Sequence, residues 1–307
     1  MLKYIVKRLL GLIPLIVGAM FIAFMVLYLS PGDPATVILR HSEPEVWQEW
    51  YELHGFNDPV LIQYVRYMAG VFTGDLGNSF WNNIPVTPEI MLRLPHTLQL
   101  SLAALTVALL LALPIGIIAA VKQNTWIDGV SMFIALIGIS IPVFWLGLIL
   151  IFSASRQLGW SPPPRHSWYI QLVLPGITLG TAMLSAMIHS TRFSTLEVMR
   201  TDYIKMARAK GLTGGKIIRK HVLRNALPSI LEAFKVHLGA FFTGIIIVEF
   251  MFAWPGIGRL MIQAVALRDY PMVLGCMFIF ILLFAVIKLI ADILQLFIDP
   301  RVKEQRI

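Results

Sequence analysis

The polar residues that could do chemistry are few, and most of them fall in one stretch. From Thr201 to Pro228 the chain reads TDYIKMARAKGLTGGKIIRKHVLRNALP. Gly215-Lys216 invites a phosphate-loop reading, but that pattern needs a Gly five residues before the second Gly and a Ser or Thr after the Lys. Lys210 and Ile217 occupy those positions, so ATP is not bound by that route. Residues 202–210 favour helix, and Gly211 is placed as the C′ residue that ends it. Thr213 can N-cap a second short helix, which Ile217, Ile218, His221 and Val222 make amphipathic. Two short helices joined by a tight turn make a rigid knob, able to pass force from a partner into the flanking segments. A basic loop can equally lie on anionic lipid headgroups, and the residues by themselves leave both readings open.

The other polar candidates are scattered. His41, His54, His96, His166, His189, His221 and His237 include no HxxxH pair or other tight ligand spacing, so no metal site is expected. His189 reads as a polar residue at a helix end, with a place at a gate or on the pathway as the alternative. Lys288 and Asp292 stand four apart in an apolar run, on one helix face, where they are expected to pair; a place on an ion or substrate route is the alternative. Glu249 reads as a partner for a backbone group or a cation, or as a gate residue. Apart from Lys288 and Asp292 the apolar runs hold no dense polar constellation, which argues against a membrane-bound enzyme. Cys276, the single cysteine, lies in an apolar run and reads as packing.

The elements that must position these residues are apolar. Of 307 residues 57% are hydrophobic and 14% charged, with a mean hydropathy of +0.76; soluble domains carry roughly 25% charged residues. The net charge of +8 does not point to nucleic acid, because nine of the 25 Lys and Arg crowd between Arg192 and Arg224. Uncharged apolar runs at Leu9–Leu29, Leu100–Val121, Val130–Ala154, Leu172–Ile188, Leu238–Val248 and Tyr270–Ile287 predict about six transmembrane helices. The first is about 31 Å long at roughly 1.5 Å per residue, too long for a signal peptide and close to the bilayer core. Lys3, Lys7, Arg8, Lys122, the nine of 192–224, Arg301, Lys303 and Arg306 fall on one side of these spans. Arg40, Arg66, Arg93, Arg156, Arg165, Arg259 and Arg268 fall on the other. The excess places both termini in the cytoplasm, in agreement with an even number of spans.

Residues 30–95 then form an external segment, and 190–226 a cytoplasmic one. Within the first, Pro44 to Phe56 predicts an amphipathic helix with Val46, Trp47, Trp50 and Leu53 opposite Glu45, Glu49 and Glu52. Trp47, Trp50, Tyr51, Tyr64 and Tyr67 suit a membrane interface. Pro14, Pro114, Pro142 and Pro175 within the spans are candidate kinks, and Gly176/Gly180 form a GxxxG packing step. No tandem or inverted repeat is visible.

Ten strings, in order along nearly the whole chain, resemble the first permease subunit of the oligopeptide, dipeptide and nickel ABC importers. They are PGDP (31–34), GFNDP (55–59), QY (63–64), GDLGNS (74–79), RLPHTLQLS (93–101), SIPVFWLG (140–147), LEVMRTDY (196–203), PGIG (255–258), RDYP (268–271) and DPRV (299–302). ARAKG (207–211) with HVLRNALP (221–228) is similar to that group's form of the importer "EAA" loop; of the general motif only Ala207 and Gly211 match, Lys205 and Met206 standing where it has Glu-Ala. Near the chain's end the family usually has Asn-Leu-x-x-Asp, and here Lys288 replaces the Asn. The resemblance implies an all-α type I importer permease, a single domain over 1–307 in the bacterial inner membrane, for peptides or, alternatively, nickel or a metal chelate. It implies a second homologous permease, two ATPase subunits that bind the ATP and Mg, and an external binding protein, with no cofactor and no catalysis in this chain. A stand-alone secondary transporter is the reading from another class. Carried onto the loop, Ala207 and Gly211 would let it fit closely into an ATPase groove, with Tyr203, Arg208, Lys210 and Arg219 in contact.

Overall fold

A computed structural model describes residues 2–32, 34–39, 43–159 and 168–298. Asp33, Arg40, His41, Arg165, His166, the DPRV string at 299–302, Lys303 and Arg306 lie outside them. Among the described residues the chain is helical, its only β feature being the bridge Asn78–Pro85. Among the described residues five helices are long and apolar enough to cross a bilayer: within α1 (Leu2–Leu29), α5 (Val86–Val121), α8 (Trp168–Met199), the stretch Gly214–Met251, and α13 (Tyr270–Ile298). A sixth crossing exists if α6 (Trp126–Ser140) and α7 (Val143–Leu158) count together, and these are bent by 96°. Val130–Ala154 reads as one run, yet it is broken at Ile141-Pro142. Proline disfavours helical backbone in the preceding residue, and Ile141 is extended at φ −86°, ψ 118°. Pro14 and Pro175 are accommodated inside their helices.

Contacts divide the chain into two compact units, with the divisions falling inside or beside α5, α11 (Leu223–Met251) and α13. The first comprises Met1–Thr97 and Pro255–Ala285. It holds α1, α2 (Pro34–Ile38), α3 (Pro44–His54), α4 (Val60–Thr73), α12 (Ile257–Ala266) and the first parts of α5 and α13. The amphipathic helix at 44 forms as α3, and the turn into α4 explains the GFNDP and QY strings. Gly55 ends α3 in the left-handed conformation, φ 67°. Asp58 then pairs with Arg66, and the Gln63 amide donates to the carbonyls of Phe56 and Asp58 at 3.1 and 2.8 Å. Tyr64 is buried against α1: its hydroxyl donates to the Val17 carbonyl at 2.7 Å and its ring meets Phe21 and Phe24 edge-on. Asp269, buried, accepts from the Ser79 hydroxyl and the Phe80 N–H, which fixes the 74–85 turn.

The second unit comprises Leu98–Trp254 and Val286–Ile307. Here α8 is central, packed by α6, α7 and α11 (Leu223–Met251). In lipid, helices associate through close packing of small residues, and these positions are where that occurs. A Cβ on Gly180 would stand 3.0 Å from the Ala104 carbonyl oxygen, so the GxxxG face of α8 receives α5. A Cβ on Gly116 would meet the Ile188 carbonyl oxygen at 2.9 Å and the Thr191 Cβ at 2.7 Å. Gly116→Leu is therefore expected to destabilise the chain by about 1–3 kcal/mol through overpacking. Gly129→Leu, at a position open to 4 Å, should be near neutral. Thermal unfolding of the two variants in detergent checks this; equal midpoints would contradict it.

Candidate functional site

The segment between α8 and α11 is built as two short turns around a shared core. α9 spans Asp202–Ala209, α10 spans Gly214–Ile217, and a π-helical turn, Ile218–Val222, leads into α11. Gly211 has φ 75°. Its N–H donates to the Arg208 carbonyl at 2.9 Å, and the Leu212 N–H reaches the Ala207 carbonyl at 3.3 Å. This pair of bonds is the Schellman ending of a helix, which the glycine permits without a Cβ penalty. Thr213 takes the N-cap position of α10 without a side-chain cap bond. Ile204, Ala207, Ile217 and Val222 close on one another, with Val198, Met199 and Leu212 packed against them. A segment of this polarity thus has an interior of its own.

Ala207 is 9% exposed and belongs to the core of the knob, where its small side chain lets α9 approach α10. Tyr203, Arg208, Lys210, Gly211 and Arg219 are all exposed, as are Met206, Lys216 and Lys220. The outward surface is therefore basic with two apolar patches, Tyr203 and Met206. Asp202 is the counter-charge: a hydrogen bond and charge from Lys205, 2.8 Å away, hold its carboxyl below the usual carboxylate range.

Each helix that carries the knob is fastened by an ion pair, partly buried on α8 and buried on α11. On α8, the Arg192 guanidinium donates through Nε and Nη2 to both oxygens of Asp128 at 2.7 and 2.8 Å, and Asp128 also accepts the Asn124 N–H at 3.0 Å. The bidentate geometry ties α8 to the start of α6. On α11, the buried Lys235 amine donates to Asp292 and Gln295 of α13, each at 2.8 Å, and pairs with Glu232 one turn back. The expected partnership of Lys288 with Asp292 is thereby corrected: Asp292 takes the amine of Lys235, and Lys288 is exposed. A carboxylate in an apolar run takes the cation that packing brings to it, and α11 supplies a buried one.

The remaining gate candidates do not gather into one site. His189 is exposed on α8. Glu249 is fully buried near the end of α11, about 21 Å along that helix from Lys235 at roughly 1.5 Å per residue. Among the described residues no three His, Cys, Asp or Glu side chains are placed to share a metal ion. Sequence reasoning missed Asp128, Arg192 as a pairing residue, and Lys235. The available signal was that a charge at or within an apolar run requires a partner there.

Two family models match the chain. "Binding-prot-dependent transport system membrane comp, N-term" covers residues 1–101, and "Binding-protein-dependent transport system inner membrane component" covers 112–304. Over 99% of its length the chain is 38% identical to the dipeptide transport system permease protein DppB of Alkalihalophilus pseudofirmus, covering all of that protein. It is 37% identical to the glutathione transport system permease protein GsiC of Pectobacterium atrosepticum, with 99% of each chain covered. The oligopeptide transport system permease protein AppB of Bacillus subtilis is 36% identical over 99% of this chain and 100% of its own. Among solved structures, a chain of the MetNI methionine ABC transporter in an inward-facing conformation matches with a TM-score of 0.57 and 19% identity, covering 69% of this chain and 96% of that one. At that identity the likeness is one of fold.

Proposed function

Because this chain belongs to the family of inner membrane components of binding-protein-dependent transport systems, we propose that it is the permease subunit of an ATP-driven importer for di- or oligopeptides. It forms half of the translocation pathway. A second homologous permease supplies the other half, two ATPase subunits bind the ATP and Mg, and an external binding protein delivers the peptide. The chain itself performs no catalysis, and both of its termini lie in the cytoplasm.

The observation that carries this reading is the knob. A basic segment resting on headgroups needs no apolar interior, whereas a part that transmits force must keep its shape under load. Ile204, Ala207, Ile217 and Val222 give it that interior, and the Arg192–Asp128 and Lys235–Asp292 pairs bind its two carrying helices to neighbours. Peptide is favoured as cargo by the dipeptide, glutathione and oligopeptide relatives.

Reconstitution tests it. Proteoliposomes holding this chain, its partner permease and both ATPase subunits, with binding protein outside, are expected to take up a labelled dipeptide only with ATP. Omitting either ATP or binding protein should abolish uptake. If the chain alone carries peptide on an ion gradient without ATP, it is a self-contained secondary transporter and the importer reading fails.

A further inference from the structure

A cavity of about 500 Å³ lies within the first unit, well away from the knob in sequence. Its volume is in the range of sites for small organic ligands, roughly 300–1,000 Å³. Four of the strings that mark this chain meet there, three from residues 55–79 and the fourth from 268–271. Phe56 comes from GFNDP, Gln63 from QY, Gly77 to Ser79 from GDLGNS, and Tyr270 with Pro271 from RDYP. The buried Asp269 clamp on Ser79 and Phe80 brings the third of these to the fourth. The knob uses none of them.

The wall chemistry is specific. Tyr28, Phe56, Tyr67, Phe80 and Tyr270 line it, and Trp50 braces the wall from behind, its ring 4.2 Å from His54 and 5.3 Å from Phe56. Charges of both signs line the same cavity. Arg66 is 57% exposed and gives one nitrogen to Asp58, which leaves further donors of a five-donor group available. Asp75 is exposed and takes the Gly77 N–H through Oδ1 alone. Asn78 and Asn83 add amide side chains able to bond a peptide unit. Aromatic surface, one cation, one anion and amides together match a small zwitterion with an apolar side chain.

We infer that this cavity is a binding site for a short peptide, holding its carboxylate at Arg66, its ammonium at Asp75 and a bulky apolar side chain against the aromatic wall. The inference rests on the peptide-importer reading and adds to it a contact made by the permease itself, outside the binding protein. Such a site would give this chain a part in choosing cargo, favouring peptides with aromatic or large aliphatic residues and free termini.

The test uses the permease–ATPase complex in nanodiscs without its binding protein, and the photoreactive dipeptide leucyl-benzoylphenylalanine. Labelled residues are mapped by mass spectrometry. Label is expected on residues 53–83 and 270–274, reduced at least about tenfold by excess leucyl-phenylalanine but not by the same dipeptide acetylated and amidated. Leu53→Trp, at a cavity-lining position 79% exposed and so tolerant of bulk, should lower labelling about tenfold as well. ATP-driven uptake by the complete system is measured in parallel. Uptake without label on these segments overturns the inference and leaves peptide import standing. So does competition by the blocked dipeptide equal to that by the free one, which would make the cavity an apolar slot for any amphiphile, a lipid included. Absence of ATP-driven uptake of any peptide overturns the importer reading and this inference with it.

Discussion

Replacing Lys235 with methionine is expected to destabilise the chain by about 3–5 kcal/mol, the usual cost of leaving one member of a buried ion pair without its partner. Its side chain is 5% exposed and so is that of Asp292, so water cannot screen the carboxylate left behind. Gln295 would lose its donor at the same time. Glu232 matters less, because half of its side chain is exposed and a solvated carboxylate tolerates the loss. The double variant Lys235→Met/Asp292→Leu removes both charges and should recover most of the loss, since apolar replacements of a buried pair are often neutral. Lys288→Met, at an exposed position, should stay within about 0.5 kcal/mol of the parent. Thermal unfolding in detergent of the four proteins reads all of this. A loss at Lys288 equal to that at Lys235 would restore the intrahelical pair that spacing suggested.

That contrast shows where sequence was legible. Apolar runs set by local composition mark the long helices, although α5 and α11 start at Val86 and Leu223, well before the runs at Leu100 and Leu238, and Gly211 declares its left-handed turn because few other residues adopt it cheaply. The knob is legible for the same reason: its apolar spacing, from Ile204 to Val222, is local. Partners across helices are not. Asp292 sees a lysine four residues back in the sequence and another 57 residues back in space, and only packing decides between them. Asp128 and Arg192, 64 residues apart, likewise meet only once α6 lies against α8. The break at Ile141-Pro142 falls between these cases: the proline was visible, but a kink and a 96° bend look alike in sequence. The cavity was invisible as a site, although its strings were in plain view, because they converge from residues 24 to 274.

Gly211→Arg is expected to lower ATP-driven peptide uptake by well over tenfold, a loss of more than about 1.4 kcal/mol of coupling, while leaving the chain folded. No atom lies within 4 Å of where its Cβ would stand, so the new side chain starts into open space. The left-handed backbone at φ 75° adds strain of about 1–2 kcal/mol. The bulk would be felt only by a partner seated against the exposed turn. Gly211→Ala separates the two effects, since it carries the same backbone strain with almost no bulk. If alanine keeps uptake and arginine abolishes it, with ATPase subunits released or hydrolysing without transport, the turn at 207–211 is a docking surface. If both variants lose uptake equally, the glycine serves the knob's backbone and the partner contact lies elsewhere on it. If neither does, nothing seats against this turn, and the basic surface from Arg208 to Lys220 is left to the lipid headgroups.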